Sequence, residues 1–387
     1  MGVRKPFSAL IIGGSVGGLA AANELRSIGA EITVYERSAD RTQPRGAGIV
    51  MQPEVAALLD RLNRSVPSVS VELRQRQHLH RDGRFARYDA PQWMTAWDTL
   101  YQAFREPLAA ACVRLDSALE RVDVDRQTAT AAFVGGETAR GNVVIGADGI
   151  GSTTRSLLTA ANDIRYAGYI ACRGLEPESA IGNDLLDLLS ERFTYFGVPG
   201  MQMLCYLVPG PNGERDKGSR RVNWVWYINT PESALEHLLT GTSGRRFDHF
   251  LPADEVTPET TTQLTTLAGE ALPPQFDTLM RSSRVFLQPV YDLPPTRMVA
   301  DHIVLIGDAA GTVRPHTASG TSKALGDAAE LAHALRGWSP PDPLPDQNLQ
   351  RWEATRLTHL VEVAGRGMRL AAQSSLGASF GPQFLGD

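Results

Sequence analysis

Six residues near the amino end, Gly13-Gly14-Ser15-Val16-Gly17-Gly18, constrain the fold more than any other part of the chain. They follow a continuous apolar run, Ala9 to Ile12, and precede Leu19 to Ile28, which is rich in alanine and leucine. The apolar run ending in glycines predicts a buried strand, and the segment after it a helix. Glu31 to Tyr35 predicts a second strand, closed by Glu36. Together they form a βαβ unit with parallel strands buried on both faces. In such a unit the turn aims backbone N–H groups of the helix N-terminus at a pyrophosphate. An acid ending the second strand meets ribose hydroxyls. Gly13 permits the tight turn and Gly18 lets helix and strand approach, while Ser15 replaces the usual middle glycine. Gly13, Ser15, Val16, Gly17, Gly18, Glu36 and Arg37 are therefore the candidate dinucleotide-binding residues. This pattern alone does not choose between NAD and FAD.

Two later segments share a form. Val144-Ile145-Gly146-Ala147-Asp148-Gly149 precedes Ser152 and Arg155, and Leu305-Ile306-Gly307-Asp308-Ala309-Ala310 precedes Pro315 and Gly320. Each predicts a strand whose Gly/Asp pair lies at the carboxyl edge of a sheet, where α/β folds bind ligands. Asp148 and Asp308 are candidate cofactor contacts, Asp308 accepting from a ribitol hydroxyl. The helix predicted from about Gly320 to Leu335, opening on Gly320 and Thr321, aims its N-terminus at a carbonyl that gains negative charge on reduction. Between these pieces lie β-rich stretches, alternating and polar from Val69 to Asp89 and aromatic from Tyr166 to Pro231.

The fold class expected is α/β. A Rossmann-like nucleotide-binding domain falls in discontinuous segments, 1–70, 97–165 and 280–345. An inserted β-sheet substrate domain takes 71–96 and 166–279, and a C-terminal helix and tail take 346–387.

A net charge of −5 supplies no basic field for nucleic acid or anionic lipid. The cysteines Cys112, Cys172 and Cys205 are scattered, so neither a disulfide framework nor a metal site is expected. No stretch holds the roughly 20 apolar residues of a membrane helix. These features predict a cytoplasmic protein with no membrane or nucleic-acid partner and a possible homodimeric state.

Three motifs in this order and spacing resemble the single-component flavoprotein aromatic hydroxylases, the para-hydroxybenzoate hydroxylase-like family, over nearly the whole chain. Gly48-Ile49-Val50-Met51-Gln52-Pro53-Glu54, Tyr166-Ala167-Gly168-Tyr169, Phe193-Thr194-Tyr195 and Arg314-Pro315-His316 resemble the branch that hydroxylates dihydroxypyridines. The resemblance implies FAD as bound cofactor, NADH or NADPH as transient reductant, and O2 as co-substrate. It implies hydroxylation of an electron-rich, hydroxylated small aromatic through a flavin C4a-hydroperoxide. A hydroxypyridine-like ring is expected, with a carbocyclic phenol or hydroxybenzoate as the alternative, and a flavin-binding module without turnover behind both. It also implies that Arg45, Gly48, Gly307 and Pro315 lie near the flavin. The sequence departs from the family where His, Asn and Arg are frequent, at Gly311, Lys323 and Trp97. His316 is the first candidate for the base, because histidine titrates near neutrality. Arg314 is a candidate for holding an anion, with Tyr195 beside them as a catalytic candidate, and Tyr206, Trp224 and Trp226 are expected to wall the pocket.

Overall fold

A computed structural model describes residues 5–39, 48–159, 163–295, 297–378 and 383–385. Its first layer is a six-stranded sheet in the order Val299–Ala300, Ile303–Leu305, Val143–Gly146, Ser8–Ile12, Glu31–Tyr35, Val113–Arg114. All neighbours are parallel except the first pair. The central strands are apolar because both faces are covered. Ile11, Val34, Ile145 and Val304 pack on the helices Val16–Ser27 and Gly320–Ala334. On the other face Leu10, Ile12, Val144 and Ile303 pack on a three-stranded antiparallel sheet, Leu119–Val124, Ala129–Phe133 and Thr138–Gly141. That small sheet is absent from the sequence reading.

The second layer is an eight-stranded sheet in the order Phe286–Asp292, Arg165–Pro177, Arg221–Asn229, Met201–Val208, Arg192–Val198, Val71–Leu79, Phe85–Ala96, Gly48–Val50. Side chains alternate across it. Cys172, Met203, Cys205, Trp224 and Trp226 face a core closed by the helices Asn183–Leu189, Pro258–Ala271 and Pro274–Arg281. The opposite face turns toward the first layer. The Gly48–Val50 and Phe286–Asp292 strands, which the expected boundaries give to the nucleotide-binding part, are paired into this larger sheet.

The helix Asp346–Gln373 spans both layers. Glu353 accepts from the N–H groups of Met298 and Val299 (2.6 and 2.9 Å), and Arg356 pairs with Asp327. Further along, Gly367 packs on Arg314 and Ala371 lies against Tyr169 and Tyr227. No helix of the described residues is long and apolar enough to cross a membrane.

Candidate active site

Three neighbouring parallel strands of the first sheet end level with one another. Ile12 is opposite Gly146, and Gly146 is opposite Leu305. The turns that follow therefore lie side by side at one carboxyl edge. Gly13 has φ +107°, and a Cβ there would stand 2.4 Å from the Ala147 carbonyl. A Cβ on Gly18 would stand 1.9 Å from the Gly13 carbonyl. Only glycine tolerates either approach. Ser15 is the N-cap of the first helix, but its side chain caps none of the first-turn N–H groups, which stay available to an anion. Glu36 braces the turn, its two carboxylate oxygens accepting from Gly14 N–H (2.8 Å) and Ser38 N–H (2.9 Å). Arg37 is exposed beside it.

The Asp148 carboxylate is committed elsewhere. It accepts from the hydroxyl of Ser152 (2.6 Å) and from the backbone and side chain of Thr154 (3.0 and 3.1 Å), which fixes the short helix Thr153–Leu158. Its neighbourhood is the expected one, and its carboxylate braces that helix. Asp308 differs. It follows Gly307 (φ +60°), whose N–H is held by Asp327 at 2.9 Å. Among the described residues its carboxylate has no hydrogen-bond or ion-pair partner. It is open to a cleft yet enclosed by protein otherwise, and that enclosure holds its carboxyl above the usual range.

The cleft has a volume of about 810 Å³ and separates the two sheets. Asp308, Pro315, Ala318, Gly320 and Thr321 line one side, the last two presenting the uncapped N-terminus of the Gly320–Ala334 helix. The other side is the inner face of the large sheet: Arg173, Tyr195, Tyr206, Val225, Tyr227 and Gln288 among others. Gly48 joins the sides. Its N–H donates to Asn223 Oδ1 (2.8 Å), its carbonyl accepts from the Tyr206 hydroxyl (2.9 Å), and the Tyr206 ring occupies the space a Cβ would need. Arg45 lies outside the described residues.

Trp224 and Trp226 do not wall this cleft. They are fully buried on the opposite face of the large sheet, and the Trp224 indole N–H donates to Ser283 at 2.9 Å. Their strand is buried on both faces, so residue type did not reveal which face is which. The alternation places Val225 and Tyr227 in the cleft instead.

His316 does face the cleft, but not as a base that titrates near neutrality. Burial and the nearby Arg314 charge push its pKa down to about 4. Arg314 is not free to hold a ligand: it forms a two-pronged ion pair with Asp292, with a shortest contact of 2.6 Å. Its guanidinium also lies 5.7 Å from the centroid of the Tyr169 ring. The Tyr169 hydroxyl and His316 Nε2 share a hydrogen bond of 2.9 Å. Burial raises the Tyr169 pKa, so the phenol keeps its proton. His316 Nδ1 is buried and has no hydrogen-bond partner among the described residues.

The departures from the family have local causes. A side chain at Gly311 would strike Leu360 of the C-terminal helix at 2.6 Å. Lys323 turns inward, donating to the Gly307 carbonyl at 2.6 Å with Asp327 3.6 Å away. Trp97 lines the cleft and stacks on Tyr101 with ring centroids 5.1 Å apart. Arg173, His78 and Gln288 are cleft residues that the sequence reading missed. The period-two phase of their strands, once fixed by the Gly48–Tyr206 contact, would have found them.

A family model described as FAD binding domain-like matches residues 166–292. The chain is 30% identical to 2,6-dihydroxypyridine 3-monooxygenase of Paenarthrobacter nicotinovorans, covering 96% of this chain and 92% of the relative. It is 28% identical to 3-amino-4-hydroxybenzoate 2-monooxygenase of Streptomyces cremeus, covering 97% and 89%. The solved structure of 2,6-dihydroxypyridine-3-hydroxylase from Arthrobacter nicotinovorans superimposes with a TM-score of 0.90 at 30% identity, covering 98% of this chain and 95% of that one.

Proposed function

The chain belongs to the FAD-dependent aromatic monooxygenases, and on that premise we propose that it hydroxylates a hydroxypyridine-like N-heteroaromatic ring. The chemistry supplied by bound FAD is acceptance of a hydride from NADH or NADPH and delivery of one oxygen atom of O2 to the ring. The single observation that carries the reading is the convergence of Gly13, Ala147 and Asp308 at one sheet edge above a cleft walled by aromatic side chains.

The residues present fit the cofactor. The Gly13–Gly18 turn and the helix behind it suit the pyrophosphate, and Glu36 and Arg37 flank the place of the adenosine ribose. Asp308, a carboxylate without a partner among the described residues, suits the ribityl hydroxyls. The free N–H groups at Gly320 and Thr321 suit a flavin carbonyl, with Gly307 and Pro315 shaping the turn between. His316 borders the cleft between Pro315 and Thr317. Tyr195 and Tyr206 bound the far side of the cleft and exclude water from the ring. We assign the six-stranded layer to the cofactor and the inner face of the eight-stranded sheet to the substrate. A pyridine nicotinamide reductant, abundant inside cells, is consistent with a cytoplasmic enzyme.

The test is direct. The purified protein should be yellow, and 2,6-dihydroxypyridine or a related hydroxypyridine should accelerate NAD(P)H consumption and give a product heavier by one oxygen. Acceleration by aminohydroxybenzoates alone would replace the substrate class with a carbocyclic phenol, the reaction that the Streptomyces relative's name describes. A protein that cannot be loaded with FAD would end the reading.

A further inference from the structure

Arg173 stands in the Arg165–Pro177 strand opposite Val225, and its side chain enters the cleft between the two layers. It also lines a side chamber of about 130 Å³ with Asp308, Gln288 and Pro315. Its Nε is buried without a hydrogen-bond partner, and among the described residues no carboxylate lies within ion-pair distance of its guanidinium. The two most deeply buried arginines among the described residues are treated differently. Arg155 donates to the carbonyls of Ala309 and Ile150, and Arg221 pairs with Asp98 at 2.7 Å. An unpaired guanidinium in a cleft is costly unless a ligand supplies the missing acceptor.

Among the described residues no protein group near it fills that role. Tyr206 and Tyr227 lie close enough for the Arg173 charge to favour their ionisation, yet burial outweighs it and both phenols stay protonated. The Tyr206 hydroxyl is already spent on the Gly48 carbonyl. His316 is bonded to the Tyr169 hydroxyl, and Asp308 shares the cavity wall without reaching the guanidinium. Arg76 and Arg366, exposed at the cleft mouth, add positive charge, and His78, Tyr88 and Tyr195 complete the titratable lining of the cleft among the described residues. The complementary charge must come from the bound molecule.

We infer that Arg173 is the substrate-recognition cation of this enzyme, holding the ring-borne oxygen of the hydroxypyridine as an oxyanion. The inference rests on the substrate class proposed above. Transfer of an electrophilic oxygen needs an electron-rich ring, and a ring hydroxyl becomes strongly donating when it is ionised. On binding, the substrate O–H bond breaks, its electron pair stays on oxygen opposite the guanidinium, and the proton passes to water. No oxidant enters this step. A planar fork of N–H donors suits such an oxygen and an adjacent ring acceptor better than an ammonium would. The arrangement also explains how a cleft whose histidine is a poor base turns over a phenol-like ring: a fixed cation does the work of a base by stabilising the ionised form.

The experiment uses the FAD-loaded enzyme with 2,6-dihydroxypyridine as probe, below the pH at which the free ring ionises. Binding is followed by the ultraviolet spectrum of the ring and by proton release into weakly buffered solution with an indicator dye. The wild type should bind the anionic ring and release a proton. Arg173→Met should retain FAD, bind the probe about 10- to 100-fold more weakly, and release no proton. Raising the pH until the free ring is ionised should leave that binding loss in place, because the cation is gone. Arg173→Lys should keep proton release with a smaller loss of affinity, and it stands in if the methionine variant does not fold. Wild-type turnover without proton release would overturn the inference. So would unchanged probe affinity in both variants, or loss of FAD as their sole defect, which would give Arg173 to the cofactor. If the wild type binds no hydroxypyridine but is yellow and active on another ring, the substrate reading has failed first, and the assignment of a ring oxyanion falls with it.

Discussion

His316 is bonded at one ring nitrogen and buried at the other. Nε2 shares a hydrogen bond with the Tyr169 hydroxyl, Arg314 is paired with Asp292 close by, and burial of the ring makes the imidazolium costly. Its pKa falls from 6.5 to about 4, so the unfolded chain takes up this proton first as the solution is acidified. The neutral form therefore contributes stability that is complete above pH 6.5 and is lost as the pH falls toward 4. The ceiling is about 3 kcal/mol. His316→Gln keeps an acceptor for Tyr169 and cannot titrate. Thermal melts of both proteins between pH 4 and 7.5 should show wild type losing ground to the variant below pH 6.5. Parallel melting profiles would mean the imidazole is not buried as described. Histidine as a residue type suggests a base near neutrality, and nothing in the sequence reveals that Arg314 and Tyr169 surround it.

The turn after the first strand works through absent atoms. Gly18 leaves room for the Gly13 carbonyl, and Gly13 adopts a left-handed φ against the Ala147 carbonyl. Gly18→Ala and Gly13→Ala should each give protein with little or no bound flavin, read from the ratio of flavin to protein absorbance after purification. Gly135→Ala is the comparison: it also sits at positive φ (+99°) but its Cβ meets open space. That change should cost about 1 kcal/mol and leave the flavin ratio untouched. Full FAD content in Gly18→Ala would refute the account of the turn. This element was legible because glycine spacing after an apolar run has few structural solutions. The Arg221–Asn229 strand was not, because Trp224 and Trp226 on one side and Val225 and Tyr227 on the other are all buried. A strand without polar alternation does not announce which face meets the ligand.

The two layers are tied at many points that sequence does not foresee. Gly48 lies in the chain between pieces of the first layer, yet it pairs into the second sheet and is clasped by Asn223 and Tyr206. Phe286–Asp292 crosses the expected boundary likewise, because strand pairing follows the sheet edge available and not the position of a segment in the chain. The order of motifs made the α/β layer and its inserted sheet readable; the seam between them depended on long-range pairing. Arg221 with Asp98, and the long C-terminal helix on both sides of the seam, add further links. A ligand seated in that seam touches both layers, so FAD binding should stabilise them as one unit. At a free FAD concentration 100 times its dissociation constant, the folded state gains about 2.7 kcal/mol. For 387 residues that raises the melting temperature by about 3 °C. Calorimetry of the cofactor-stripped protein, titrated with FAD, should show a single transition moving upward by that order. Two transitions, of which only one responds to FAD, would mean that the layers unfold separately and that the seam is too weak to couple cofactor seating on one sheet to the substrate wall on the other.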